Sequence, residues 1–285
     1  MKPALNFKLH WEWKAQRSKA TDVVFGQVCG AKWNRLADMR SFTNLRRHLR
    51  LDGGRHTLLD VGCGPLARAE VQYSVQGFHI VGVDVSKTTV KKARKNVEKY
   101  GNPQRVSLIV ADGEYLPFKR ESFDVALCIG TISHFPDKQA VVSAMKEMRD
   151  VTKQNGTIYI PWWINFLSLP GIACRLALKI LDFLKFPHAQ YLAFIGTREI
   201  KGIIHHCGLH VRQIRYGDLL ELPWIFYPVS PTLRTQIERV ITMANNYHKS
   251  HPLLARFSGA FEITCAKALE EPLVVSNMRF AESIP

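Results

Sequence analysis

Apolar residues in this chain come in short runs, several of them closed by an acid or a glycine and followed by a stretch with helical spacing. The runs at 57–61, 79–84, 106–110, 123–129, 157–160, 209–216 and 261–267 read as strands. Between them, 67–76, 87–100, 137–152 and 198–207 carry apolar residues at helix-like intervals. Phe123-Asp124-Val125-Ala126-Leu127-Cys128-Ile129 is nearly continuous in its apolar character, as a parallel strand covered on both faces must be. Ser86 and Asp137 stand where helix N-caps belong, Thr197 is a third cap candidate, and Gly101-Asn102-Pro103 stops the second helix. The expectation is an α/β domain with a seven-stranded, mostly parallel sheet and helices on both faces.

Three regions depart from that alternation. Residues 1–56 read as a helical cap, with Trp11, Trp13, Phe25, Val28, Trp33 and Leu36 at helical spacings, ended by the breaker Asp52-Gly53-Gly54. Residues 161–195 look like a helical insertion after the fifth strand. There Leu169, Ile172, Leu176, Ile180 and Phe183 share one helix face, with Arg175, Lys179 and Lys185 on the other. Residues 217–258 hold a second insertion, with a helix at about 231–247, before the last strand. The domain therefore spans 57–270, and 271–285 is a tail. The uncharged run from Gln154 to Cys174 contains a strand, two asparagines and two prolines, which excludes a membrane-spanning helix there.

The chemistry gathers at Asp60-Val61-Gly62-Cys63-Gly64, a Gly-x-Gly turn between the first strand and the first helix. Glycine there lets the backbone approach a ligand closely. Asp84 closes the second strand, 24 residues after Asp60, where a carboxylate can accept from two ribose hydroxyls. Together these residues resemble the first motif and the ribose-binding acid of the class I, Rossmann-like S-adenosylmethionine-dependent methyltransferases, most closely their small-molecule branch. Leu66 stands where that family often has a third glycine. The resemblance implies S-adenosylmethionine as cofactor and S-adenosylhomocysteine as product. It implies cofactor contacts at Asp60, Gly62, Cys63, Gly64, Asp84, Val85, Asp112, Gly113 and Ile129, with Asp112 and the next backbone N–H at the adenine edge. Read without the family, Asp112-Gly113 is an ordinary turn after a strand. The family also places substrate under N-terminal helices and in insertions after the fifth strand. This makes Trp11, Trp13, Phe25, Trp162 and Trp163 candidate substrate contacts, with plain core packing as the alternative.

Composition narrows the setting. Apolar residues make up 46%, enough for a large core and too many for a disordered chain. Six scattered cysteines with no C-x-x-C pair suggest neither a zinc site nor a disulfide framework. With no long apolar stretch at its start, the chain is expected in the cytoplasm. The net charge of +15 favours anionic partners, whether nucleic acid, lipid or substrate, or else simply a soluble surface.

A sulfonium methyl is already electrophilic, so the protein must align an acceptor and exclude water. A base is needed only for an alcohol or another weak acid. His134, after the fourth strand, is the candidate base; its alternative role is to shape the pocket. The apolar, Trp-rich insertion points to a hydrophobic acceptor: a quinone, a sterol-like molecule, a polyketide or a lipid. The 162–186 stretch is a lid over that acceptor, a helix lying in a membrane surface, or core. A nucleic-acid methyltransferase is the rival reading. Ile129-Gly130-Thr131-Ile132 replaces the Asp/Asn-Pro-Pro-aromatic motif of base-amine methyltransferases, and Cys128 lacks the setting of a nucleophile. A non-catalytic cofactor-binding protein is the third reading. The sequence carries no signal of oligomeric state.

Overall fold

The computed structural model describes residues 3–17, 56–164, 195–216 and 260–268, together with single positions between 172 and 183 and between 232 and 251. Phe25 and most of both insertions lie outside the described residues. The elements are α1 (Pro3–Arg17), β1 (Thr57–Val61), α2 (Arg68–Ser74), β2 (His79–Asp84), α3 (Lys87–Tyr100), β3 (Val106–Val110), β4 (Phe123–Leu127), α4 (Lys138–Val151), β5 (Thr152–Ile164), α5 (Thr197–His206), β6 (Leu209–Tyr216) and β7 (Ala260–Lys267).

The strands form one seven-stranded sheet in the order β3-β2-β1-β4-β5-β7-β6. β1 pairs parallel with both β2 and β4, and β7 runs antiparallel between β5 and β6. The apolar runs are continuous because both faces are covered. Leu59 and Val61 pack on one face with Val141, Met145 and Met148 of α4 and Ile200 and Ile204 of α5. Leu58, one residue earlier in the strand, packs on the opposite face with Ala69 and Tyr73 of α2. Ala93 and Val97 bring α3 against the same side of the molecule as α2, near Cys63 and Ala67. A buried methionine truncated to alanine costs about 2–5 kcal/mol, so Met145 and Met148 hold α4 firmly to the sheet.

The caps follow from side-chain chemistry. The Ser86 hydroxyl accepts from the Thr89 N–H at 3.0 Å, and Asp137 accepts from the Ala140 N–H at 2.9 Å. Thr197 does not cap: it is the first residue of α5, and Gly196 holds the cap position without a side-chain bond.

β5 is longer than the sequence predicts. It covers Thr152–Ile164 instead of 157–160, so Trp162 and Trp163 belong to a strand, not to the insertion. Within it Gln154-Asn155-Gly156 folds the chain back on itself: β4 steps from Phe123 to Val125 while β5 steps from Thr152 to Thr157, and a Cβ on Gly156 would lie 2.5 Å from the Thr152 side chain. A second shift between Ile160 and Trp163 accommodates Pro161, after which Trp163 pairs with Phe261.

Candidate active site

The carboxyl ends of β1, β2, β3 and β4 lie along one edge of the sheet, where open α/β sheets bind ligands. β1 delivers Asp60 and then the glycine loop. The N–H groups of Gly62 and Cys63 both donate to the Val83 carbonyl, at 2.8 and 2.9 Å, which ties the loop to β2. Gly62 has φ +86°, and a Cβ there would lie 2.3 Å from the Thr131 side chain. Only glycine fits that position. Thr131 in turn donates to the Gly62 carbonyl at 3.2 Å, locking the turn after β4 onto the loop. Gly64 differs: its φ is +63°, but the space where a Cβ would stand is open. Asn96 of α3 holds the far side by donating to the Pro65 carbonyl at 2.8 Å. The chain enters α2 through Ala67 at φ 46°. The left-handed backbone thus falls on Ala67 and not on Leu66, where a third glycine was looked for.

Asp84 accepts from the Ser86 N–H at 2.9 Å and from the Gly64 N–H at 3.3 Å. Burial nevertheless outweighs these bonds and pushes its carboxyl from 3.8 up to about 6. Asp60 is raised too, first by burial and then by the nearby Asp84 charge, and its Oδ1 is buried without a hydrogen-bond partner among the described residues. A third acid, Glu70 of α2, is entirely buried. Neither of its carboxyl oxygens has a partner among the described residues, and burial followed by the Asp60 charge drives its pKa well upward. Glu70 lies over Gly82 of β2, where a Cβ would meet its Oε1 at 2.2 Å. Nothing in the sequence separates Glu70 from an ordinary first-turn acid of a helix; only the absence of a side chain at Gly82 makes room for it.

Asp112, just past β3, accepts from the Glu114 N–H at 3.0 Å and pairs with the Lys8 ammonium at 2.9 Å. Gly113 packs closely between Phe135 and Val61. Val85 and Ile129 are half-buried at the strand ends beside the loop, and Cys63 is buried within it.

His134 is buried in a short 3₁₀ turn, 132–134, after β4. Trp11 meets its ring edge-on, with centroids 5.5 Å apart, and Phe7 stacks on Phe135 at 6.4 Å. Helix α1 thus lies across the ligand edge. Glu12 fixes it there, accepting from the Ser86 hydroxyl at 2.8 Å, the Thr88 N–H at 3.2 Å and the Thr88 hydroxyl. Burial alone would raise the Glu12 carboxyl, but these bonds prevail and hold it at about 2. Lys92 adds a bond to the Ala15 carbonyl at 2.6 Å. The structure therefore brings Trp11 to the site. It leaves Trp13 half-exposed, 51% accessible, beside His10. Lys8, Glu12, Glu70 and Thr131 belong to the site and were not legible as such.

The residues fit an adenosine-bearing cation. Gly64 leaves open space over the loop, the partnerless Asp60 oxygen lacks a donor, and the raised carboxyls favour a positive ligand. A glycine loop after the first strand and acids at successive strand ends define a Rossmann-like domain of the class I, S-adenosylmethionine-dependent methyltransferase type. Residues 59–160 match the methyltransferase domain family, so this segment is such a domain and S-adenosylmethionine is its cofactor. The chain is 34% identical over 177 residues to methyltransferase GfsG of Streptomyces halstedii, covering 62% of this chain and 58% of that protein. It is 27% identical over 180 residues to the ubiquinone biosynthesis O-methyltransferase of Xylella fastidiosa, covering 63% of this chain and 70% of that one. The fold matches geranyl diphosphate C-methyltransferase from Streptomyces coelicolor with a TM-score of 0.61 at 15% identity, over 93% of this chain and 98% of that one.

Proposed function

We propose that the protein transfers a methyl group from S-adenosylmethionine to an oxygen of a hydrophobic small molecule of the quinone or phenol kind. The observation that carries this reading is the buried His134 under the edge of Trp11, at the end of β4 and beside the glycine loop. A buried base packed against an indole suits an uncharged, weakly acidic hydroxyl better than a hydrated base edge or a phosphate backbone. The relative named for ubiquinone biosynthesis as an O-methyltransferase supports the same acceptor class.

When bound, the cofactor supplies an electrophilic methyl on a sulfonium. Asp84 accepts from the ribose hydroxyls, and the Gly62–Gly64 loop lies against the amino-acid portion. Asp60 and Asp84 counter the cofactor's positive charge. Asp112 and the Gly113 N–H address the adenine edge. Trp11 and Phe7 keep water away. His134 takes the acceptor's hydroxyl proton as the oxygen gains the methyl.

The test is transfer of labelled methyl from the cofactor to a panel of catechols, hydroquinones and polyketide phenols, with total RNA in parallel. The expected result is label in the organic-extractable products and a His134→Gln rate that no longer rises with pH. Label confined to RNA, or an unchanged pH profile in His134→Gln, overturns the reading.

A further inference from the structure

Glu70 is a buried acid that the chemistry of methyl transfer leaves unused. It is wholly inaccessible, and both its carboxyl oxygens lack a hydrogen-bond partner among the described residues. Buried polar atoms in folded proteins almost always have partners, so an acid kept without one calls for a reason. Its place is specific. The carboxyl lies over Gly82, where a Cβ would meet Glu70 Oε1 at 2.2 Å and the Leu108 side chain at 2.9 Å. Asp60 pairs with that same Gly82 of β2 on one side and with Leu127 of β4 on the other.

Paired residues of neighbouring strands point to the same side of a sheet. Leu58, two residues before Asp60, packs against α2, so Asp60 points to that side as well. The Asp60 and Glu70 carboxyls therefore share one dry space beside the start of the glycine loop, and Asp60 Oδ1 is likewise without a partner among the described residues. The titratable groups that act on Glu70 are Asp60 and, more weakly, Asp84 at the end of β2. Cys63 of the loop faces all three acids, and burial and their charges push its thiol up. Tyr73, one turn after Glu70 on α2, is raised by burial and by Asp60. None of these groups is a cation. Two carboxylates cannot both ionise in such a space, so the pair holds one proton between them.

We propose that Glu70 is a positioning residue for the cofactor: it keeps that proton, and as a neutral acid it leaves Asp60 to be the carboxylate that answers the cofactor's positive charge. Glu70 is the better keeper because it is fully enclosed, whereas Asp60 retains slight exposure and adjoins the glycine loop. The dipole of a neutral carboxyl also stabilises a carboxylate beside it, which a second negative charge would oppose. Gly82 makes the arrangement possible, since any side chain there would displace the Glu70 carboxyl. This role belongs to the S-adenosylmethionine site alone and is independent of the acceptor.

The experiment uses the full chain with no acceptor present. Infrared spectra of the cofactor-free protein at pH 7.5 compare wild type with Glu70→Gln. Calorimetry gives the affinities of S-adenosylmethionine and S-adenosylhomocysteine for wild type, Glu70→Gln and Glu70→Leu; leucine suits the apolar surroundings, so the fold tolerates it. The expected result is a protonated-carboxyl C=O band in wild type that Glu70→Gln lacks. Glu70→Gln, neutral and polar like the acid it replaces, should bind S-adenosylmethionine within about threefold of wild type. Glu70→Leu should weaken S-adenosylmethionine roughly tenfold or more, and S-adenosylhomocysteine, which has no sulfonium charge, clearly less. Raising the pH should recover part of the Glu70→Leu loss as Asp60 ionises. Absence of the band in wild type, or its persistence in Glu70→Gln, overturns the proposal. So does Glu70→Gln binding S-adenosylmethionine as weakly as Glu70→Leu, because Glu70 would then be the charged acid. Equal losses for the two ligands in Glu70→Leu also overturn it and reduce Glu70 to packing.

Discussion

At the scale of single residues, the site is a place where charge is disfavoured until a ligand arrives. Asp84, raised from 3.8 to about 6, binds a proton more readily in the fold than in the unfolded chain, and Asp60 and Glu70 shift the same way. Folded protein therefore holds more protons than unfolded protein between roughly pH 4 and 6, and stability falls as pH rises through that window. Glu12 acts oppositely but only below about pH 4.5, because its carboxyl is held at about 2. Denaturation without cofactor should thus show about 2 kcal/mol less stability at pH 7 than at pH 4.5 from Asp84. The thermal shift given by S-adenosylmethionine should be larger at pH 7.5 than at pH 5, as the cation relieves the repulsion. Asp84→Ala should weaken cofactor binding by about 1.5–3 kcal/mol in calorimetry. The two loop glycines should separate cleanly. Gly64→Ala faces only backbone strain, about 1–2 kcal/mol. Gly62→Ala adds a clash with Thr131, and Thr131→Gly should restore part of the loss in urea titrations.

Among elements, α1 shows both the reach and the boundary of sequence reading. Its helical spacing and its tryptophans are visible in the sequence, and so is a covering role. What holds it down is not: Glu12 sits between Trp11 and Trp13 like any surface acid, and its partners Ser86 and Thr88 are more than seventy residues away. Strand and cap positions were legible because local chemistry dictates them, as at Ser86, Asp137 and the apolar run of β4. The extent of β5 was not, because pairing continues on both sides of the Gln154-Asn155-Gly156 fold-back and past Pro161 with a shifted register that only the neighbouring strands reveal. Glu12→Ala should release α1, losing amide-exchange protection over 3–17 and weakening cofactor binding, since three hydrogen bonds to a carboxylate go. Lys8→Ala should do the reverse on a small scale. It frees Asp112 from an ion pair and should tighten cofactor binding by less than about 1 kcal/mol.

For the whole molecule, the sheet order gathers the glycine loop, the strand-end acids and His134 along one edge, while the basic charge spreads elsewhere. Much of that charge lies on the outward side of α3, where Lys87, Lys91, Arg94 and Lys95 follow one another over the buried Val90, Ala93 and Val97. Such a surface holds polyanions by counterion release, so any RNA association should vanish between about 50 and 200 mM salt. Methyl transfer to a phenolic acceptor should persist across the same range, which assays at both salts would reveal. Among the described residues no helix is long and apolar enough to cross a membrane. The chain spans 58% of the length of GfsG, so likeness to that relative concerns the shared domain.

The position of β7 has a consequence for how the chain is born. Its Phe261, Ile263 and Cys265 are buried, and it is wedged between β5 and β6 although it follows both of them in the chain. A ribosome that has released everything up to residue 258 holds a nascent chain with two unzipped strand edges, each an invitation to aggregate or to recruit a chaperone. Translation must finish that one segment before the sheet can close.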